Sequence, residues 1–241
     1  MLDRQRRHPE LTEREMNDVL RQCLILRNLP AEKLKEIRLH ATPIHFRKGS
    51  FIFSDGEPSD FLYIVQEGLV KLCNTSPSGK SVTFDISTRG GTLNGSAMFT
   101  ETYFMSAQAM SEVSVLRIDR KEFLTFVTKT PSVAIEIIRI TARRLKSEYE
   151  RMVDFQREEV EQRMLHCLLT LATKFGTTLS LTREELADFV GTTTETAIRV
   201  MSKLKKKGII SCSAPKGEVV ISDLEKLDLL VRNSYRLNLG L

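Results

Sequence analysis

Between Pro43 and Ile118 no apolar run is longer than a short strand. Ile44 to Phe46, Ser50 to Phe53, Phe61 to Val65, Leu69 to Cys73, Val82 to Ile86, Ser106 to Ala109 and Val113 to Ile118 are rich in aromatic and β-branched residues. The separators are Arg47-Lys48-Gly49, Asp55-Gly56-Glu57-Pro58-Ser59-Asp60, Glu67-Gly68, Ser76-Pro77-Ser78-Gly79 and Arg89-Gly90-Gly91. Gly admits positive φ, Pro fixes φ, and Asp and Ser bond their own backbone, so each separator reads as a turn. Many short strands at even spacing predict an antiparallel sandwich or barrel.

The period then changes. Arg120 to Thr128 reads as a short helix stopped before Pro131, and Ser132 opens a helical stretch to about Lys174, with a break near Asp154 to Glu161. Ile138, Thr141, Leu145, Tyr149, Met152 and Phe155 recur three and four apart, with Arg143, Arg144, Lys146, Glu150 and Arg151 on the flanks. This is a seam of coiled-coil type. Pairing with a second copy about a two-fold axis would cover it; packing wholly on its own chain is the alternative. Met164 to Phe175 reads as the first core helix of a second domain. Upstream of the strands, Val19, Leu20, Cys23, Leu24 and Leu26 form a short apolar stripe before Pro30, and Ala31 to Leu39 is a further brief helix. A tail packed on its own domain explains this segment better than a separate recognition arm.

Leu181 to Ile210 carries a job as well as a shape. Thr182 and Glu185 form a capping box for a helix from Arg183 to Val190, and Gly191 ends it. A second helix starts at Thr192 or Thr193 and buries Ala197, Val200 and Leu204, leaving Glu195, Ile198, Arg199, Ser202, Lys203 and Lys206 on its other face. Ala187 and Gly191 supply the small residue at a helix crossing and the left-handed turn, the pattern of a helix-turn-helix. The basic run Lys203 to Lys207 ends the second helix where phosphates would lie. Beyond it, Ile209 to Ser211 and Glu218 to Ile221 flank Pro215-Lys216-Gly217 as a hairpin, or wing, followed by a last helix from Asp223 to Arg232.

Composition agrees without deciding. The 241 residues allow one large or two modest domains, and a formal net charge of +5 is compatible with a polyanionic partner. Cys23, Cys73, Cys167 and Cys212 are scattered with no zinc spacing, as in a reduced cytosolic protein. No stretch approaches a membrane span, and the N-terminus lacks the apolar core of a signal peptide, so a cytoplasmic location without membrane partners is expected.

In this order of parts the chain resembles the cyclic-AMP receptor protein and fumarate-nitrate regulator (Crp/Fnr) family of bacterial transcription factors. The resemblance runs from about Leu20 to Leu230. It rests on Phe46-Arg47-Lys48-Gly49 and the stretch from Gly56 to Gly68 in the strands, Ala142-Arg143-Arg144-Leu145 in the long helix, and Thr194-Glu195-Thr196-Ala197-Ile198-Arg199 in the second helix of the pair. It implies an α+β chain in three parts: an N-terminal antiparallel β-roll of the jelly-roll, cyclic-nucleotide-binding-like kind (1–130), a long dimerisation helix and hinge (131–160), and a C-terminal winged helix-turn-helix domain (161–241). It implies a non-enzymatic regulator that binds a palindromic operator in double-stranded DNA as a homodimer, with RNA polymerase as a further partner if it activates transcription.

The family's base-reading Glu and Arg match Glu195 and Arg199. One helical turn apart, Arg can donate a bidentate pair to guanine and Glu can accept from cytosine N4, so each half-site should hold an essential G·C pair. Glu195 also completes a capping box with Thr192. Ile198 between them would meet a thymine methyl or pack on the domain. Thr193, Thr194, Ser202, Lys203 and Lys206 are expected at phosphates, where they add affinity without sequence information.

The family's nucleotide-binding members hold phosphate and ribose with a Glu and an Arg. Here those positions fall on Gly95 or Ser96 and on Met105, before Ser106, and the long helix carries Glu148 and Tyr149 where the nucleotide base would touch. An anionic phosphate in a half-buried pocket needs that Arg, so a cyclic nucleotide is disfavoured as effector. Met98, Phe99, Tyr103, Phe104 and Met105 are expected to line a more apolar pocket for an unidentified small molecule. Cys23 and Cys73 are too few for a four-thiolate iron-sulfur cluster. Some relatives with an apolar pocket bind haem and respond to nitric oxide or redox state, and Tyr103 to Ala109 is similar to theirs; His45 and His166 are the candidate axial ligands. An effector of other chemistry, or none, completes the alternatives. An enzyme with a cupin-like barrel would need a cluster of His and Glu that the chain lacks. A regulatory subunit for a partner enzyme would leave the helix-turn-helix unexplained.

Overall fold

A computed structural model describes residues 12–75, 81–93, 95–157, 159–213 and 218–238, with the side chains of 150–157, 212–213 and 232–238 left aside. The expected turns at Ser76-Pro77-Ser78-Gly79 and Pro215-Lys216-Gly217, and the N-terminal charged residues 1–11, lie outside the described residues. The chain divides into two compact units, Met1–Lys146 and Ser147–Leu241.

In the first unit, helix α1 (Glu13–Gln22) begins at a capping box, with the Thr12 side chain taking the Glu15 amide and the Glu15 carboxylate taking the Thr12 amide at 2.9 Å. The helix α2 (Ala31–Arg38) follows. Val19, Leu20, Cys23 and Leu26 are fully buried in the domain core, so this segment packs on its own domain. Leu24 departs from the expected stripe: it is 47% exposed, because α1 ends at Gln22 and helical spacing no longer decides which side it faces.

Strands β1 (Ala41–Phe46), β2 (Phe51–Phe53), β3 (Phe61–Glu67), β4 (Val70–Thr75), β5 (Ser81–Ser87), β6 (Thr92–Leu93), β7 (Ser106–Ala109) and β8 (Val113–Asp119) form the β-roll. All the expected runs are strands. They make two antiparallel four-stranded sheets, ordered β1-β8-β3-β6 and β2-β7-β4-β5. The first strand pairs with the last, from Ala41 opposite Ile118 to Phe46 opposite Val113, which closes the roll over a distance no local pattern encodes. Leu62, Ile64, Leu72, Leu93, Val115, Leu116 and Ile118 supply its core. At Gly68 the backbone is left-handed, φ 87°, and an added Cβ would sit 2.3 Å from the Glu112 carbonyl oxygen, so the turn after β3 admits no side chain.

Asp119 caps helix α3 (Arg120–Lys129), accepting from the amides of Lys121 and Glu122. Helix α4 (Pro131–Arg157) starts with Pro at its first position, where the missing N–H costs nothing, and buries Val133 and Ile137 in the first unit's core. Ile135, Ile138, Leu145 and Tyr149 are instead 53–67% exposed, and Thr141 is exposed with them. The side chains of Met152 and Phe155, expected further along this seam, lie outside the described residues. The expected break falls between α4 and helix α5 (Val160–Phe175), whose N-cap Glu159 is extended.

In the second unit α5 buries Met164, Leu165, Cys167, Leu168, Leu171 and Ala172. Helices α6 (Arg183–Val190) and α7 (Thr194–Lys206) follow, then helix α8 (Leu224–Asn238). Strands β9 (Thr178–Leu179), β10 (Ile210–Ser213) and β11 (Glu218–Ile221) form an antiparallel sheet in the order β10-β11-β9. The expected hairpin is therefore present, and β9 joins it as a third strand. No described helix is long and apolar enough to cross a membrane.

Candidate nucleic-acid interface and effector domain

The geometry of α6 and α7 starts from three local choices. Thr182 Oγ1 accepts the Glu185 amide at 3.1 Å while the Glu185 carboxylate accepts the Thr182 amide at 2.7 Å, which fixes the start of α6. Gly191 is left-handed, φ 70° and ψ 51°, and the amides of Gly191 and Thr192 both turn back to the Ala187 carbonyl. Thr193 caps α7 by accepting the Thr196 amide at 3.3 Å. Of the two expected starts, the structure selects Thr193. The third helical residue is then Thr196, so Thr192 and Glu195 do not form a capping box.

Ala197, Val200, Met201 and Leu204 form the buried face of α7, with Met201 joining the three expected positions. Glu195, Ile198, Arg199, Ser202, Lys203 and Lys206 are all exposed. Ile198, 40% exposed, stands with the polar residues rather than in the domain core. The Glu195 carboxyl is held below the usual range by its own backbone amide and by the Thr193 hydroxyl, so the acceptor needed for a cytosine amine is ionised.

The expected phosphate contacts are less uniform. Thr194 is half-buried and Thr193 exposed, but the Thr193 oxygen already serves as the cap. Ser202 donates its hydroxyl to the Ile198 carbonyl at 2.8 Å, a bond back into the helix that must open before the group can donate to a phosphate. Lys203 reaches the Glu161 carboxylate, whereas Lys206 has no ion pair among the described residues. The first turn of α5 braces this pair of helices: Arg163 Nε donates to the Val190 carbonyl at the end of α6, and Glu161 receives Lys203 of α7 and Lys207 at its C-cap. From the other side, Lys226 of α8 donates to the Lys207 carbonyl at 2.8 Å. Sequence periodicity gave no sign of these braces.

In the β-roll, Gly95–Phe99 is a short 3-10 helix that comes after β6 in the chain. Its position is set from α3: Arg120 Nε donates to the Met98 carbonyl at 3.0 Å, and an Arg120 terminal nitrogen reaches Ser59 Oγ, itself bonded to the Thr100 carbonyl. Gly95 sits close enough to Thr92 that an added Cβ would lie 3.3 Å from its hydroxyl oxygen. Ser96 is half-buried. Ser106 accepts the Asp55 amide at 3.0 Å.

The expected apolar lining does not form one wall. Met98 is fully buried in the core, and Tyr103 is 3% exposed, stacked on Phe53, with its hydroxyl donating to the Phe61 carbonyl at 2.6 Å. Burial pushes the Tyr103 hydroxyl pKa up, so it stays a protonated donor in that bond. Met105 is partly buried against the same core, whereas Phe99 and Phe104 are 53% and 45% exposed. Aromatic content suggested a lining; tertiary packing puts Met98 and Tyr103 in the core of the roll. Glu148 and Tyr149 belong to the second unit and are exposed.

The candidate cofactor ligands differ in setting. Cys23 is buried, and burial pushes its thiol pKa up to about 12, the opposite of what a thiolate ligand requires. His45 on β1 and His166 on α5 lie in separate compact units, and no described group of three His, Cys, Asp or Glu could hold a metal ion.

The comparisons with known proteins cover both halves of this arrangement. The profile of the cyclic nucleotide-binding domain matches residues 43–130, and that of the Crp-like helix-turn-helix domain matches residues 162–230. The chain belongs to the Crp/Fnr family. Like its relatives, this Crp/Fnr protein is a transcription regulator with a DNA-binding helix-turn-helix domain and an effector-binding domain. It is 28% identical over 227 residues to the CRP-like cAMP-activated global transcriptional regulator of Mycobacterium tuberculosis, covering 88% of this chain and 98% of that one. It is 29% identical over 202 residues to the nitrogen fixation regulation protein FixK of Azorhizobium caulinodans, covering 78% and 79%. In fold, it resembles FixK2 from Bradyrhizobium japonicum with a TM-score of 0.71 at 23% identity, covering 79% and 96%. Crp/Fnr regulators bind DNA, typically as dimers.

Proposed function

We propose that this Crp/Fnr regulator acts as a homodimer on a palindromic operator, reading each half-site with Glu195, Ile198 and Arg199 of α7. The observation that carries the reading is the common exposure of these three on one face, with the exposed lysines at the same helix's C-terminal end. Arg199 pairs with guanine O6 and N7, ionised Glu195 accepts from a cytosine amine, and Ile198 packs on a thymine methyl. Lys206, with Lys203, Ser202, Thr193 and Thr194, serves the phosphates. The exposed stripe Ile138, Thr141, Leu145 on α4 is the dimer seam, to which the sequence spacing adds Met152 and Phe155. A two-fold dimer presents its reading helices about 34 Å apart, one turn of duplex.

The effector belongs to the β-roll and is a small molecule other than a cyclic nucleotide. The Mycobacterium tuberculosis relative is cAMP-activated, but Gly95 or Ser96 and Met105 provide no charge for a cyclic phosphate. Gly95, Ser96, Phe99, Met105 and Ser106 are the residues of the β-roll through which a ligand would act, and a ligand shifts the protein only by binding one of its conformations more tightly.

One experiment addresses both parts. Duplexes selected from a random pool by the wild type are titrated with wild-type and Arg199→Ala protein, with and without cyclic AMP. Arg199→Ala should lose its preference at one base pair per half-site, about 1–3 kcal/mol of discrimination. A uniform weakening at every position would refute base reading by Arg199. Cyclic AMP should leave the wild-type affinity unchanged, and a marked tightening would restore the nucleotide as effector.

A further inference from the structure

Glu161 lies in the first turn of α5 and is bonded to two lysines of the basic end of α7. Lys207 Nζ is 2.6 Å from its Oε1 and Lys203 Nζ is 3.4 Å from its Oε2, so each carboxylate oxygen holds one ammonium group. The pairing is unequal in exposure. The acid side chain is 20% exposed, while Lys203 and Lys207 are 59% and 53% exposed. The bond from Lys207 holds the Glu161 carboxyl below its usual range, with Lys203 adding to the effect, so the acid is ionised at neutral pH. An ionised carboxylate receiving two ammonium groups from this helix makes the same charge-assisted bonds that a DNA phosphate would make with them.

We infer that Glu161 is an internal competitor for DNA phosphate: in the DNA-free protein it occupies Lys203 and Lys207, and it thereby lowers affinity for every duplex without changing which sequence is preferred. This rests on the reading of α7 as the DNA-contacting helix. Since Glu161 is anchored in α5 by the helix backbone while the lysine ammonium groups end long exposed chains, the lysines are the members free to change partner. Exposed ion pairs shift equilibria by only a few-fold each, so the competitor scales affinity rather than abolishing it. Base preference is untouched because Glu195, Ile198 and Arg199 take no part in the pairing with Glu161.

The test uses the full chain and fluorescence anisotropy over a series of salt concentrations, with two duplexes: one selected by the wild-type protein and one of scrambled sequence. Glu161→Gln keeps the side-chain shape and removes the charge. It should bind both duplexes about two- to tenfold more tightly and steepen the plot of log affinity against log salt by about 1–2, as one or two further phosphates are neutralised. The ratio between the duplexes should stay constant. In a Lys203→Gln/Lys207→Gln background the same substitution should have no effect on affinity or slope, which distinguishes competition from a general change of charge or fold. Unchanged or weakened binding by Glu161→Gln at an unchanged slope overturns the inference, as does a gain that persists without the two lysines. A wild type that binds but is matched by Glu161→Gln defeats this inference alone. A wild type that binds no duplex defeats the DNA-reading role of α7 and this inference with it.

Discussion

At Gly191 the backbone takes φ 70° so that two amides can return to the Ala187 carbonyl and the chain can enter α7. A side chain there would clash with the following carbonyl, at roughly 1–2 kcal/mol for an L-residue. Gly191→Ala should therefore lower stability by about that amount, measured by urea unfolding. Gly191→Asn should cost less, because Asn tolerates the left-handed region. If Ala were as stable as Gly, the turn would not depend on positive φ. The same scale explains Glu195: once Thr193 caps the helix, Glu195 stands in the first turn and is held ionised by its own amide and the Thr193 hydroxyl rather than tied to Thr192.

Helix α6 is only eight residues long, too short to persist by propensity, so its ends and its buried Leu186, Ala187 and Val190 carry it. Replacing Thr182 with Ala removes the acceptor for the Glu185 amide while leaving the reciprocal bond from the Thr182 amide. The expected loss is about 1 kcal/mol, seen as a lower melting temperature by circular dichroism. Thr182→Ser should keep most of the stability. Equal melting temperatures for the Ala variant and the wild type would show that the box contributes nothing here. Helix α4 presents the opposite problem: Val133 and Ile137 secure its start, but Ile135, Ile138, Leu145 and Tyr149 remain in water. Individually such residues are ordinary surface, whereas a stripe of them along one helix is what a second chain covers.

For the whole molecule, the prediction concerns assembly. Leu145 is 53% exposed, so Leu145→Asp removes no core contact within one chain and should leave the fold intact. If the stripe is the dimer seam, the buried charge should give monomers in sedimentation and weaken operator binding by at least tenfold, since two half-sites no longer act together. A stable dimer of this variant would move the interface elsewhere. The lysines make a related point about net charge. The chain's +5 is a property of composition, but the part available to DNA depends on which lysines carboxylates already hold, as Glu161 holds two.

The sequence alone determined the kinds of element and their order, because those depend on neighbours within a turn or a strand. The alternation around Gly and Pro placed all the expected strands, the capping box placed α6, and Gly191 placed the turn. Three- and four-residue spacing placed Ala197, Val200 and Leu204 in the core. The tertiary structure alone decided whatever depends on partners far along the chain. The two-residue strands β6 and β9 exist only through their ladders with β3 and β11, too short to carry a pattern of their own. Met98 and Tyr103 read as pocket lining by composition, but tertiary packing buried them in the core. The partners of Lys203, 42 residues from Glu161, follow from how α5 crosses α7. Short-range sterics and hydrogen bonds write themselves into local spacing; long-range contacts close only when the chain has folded, and there the same residue types can serve either a core or a site.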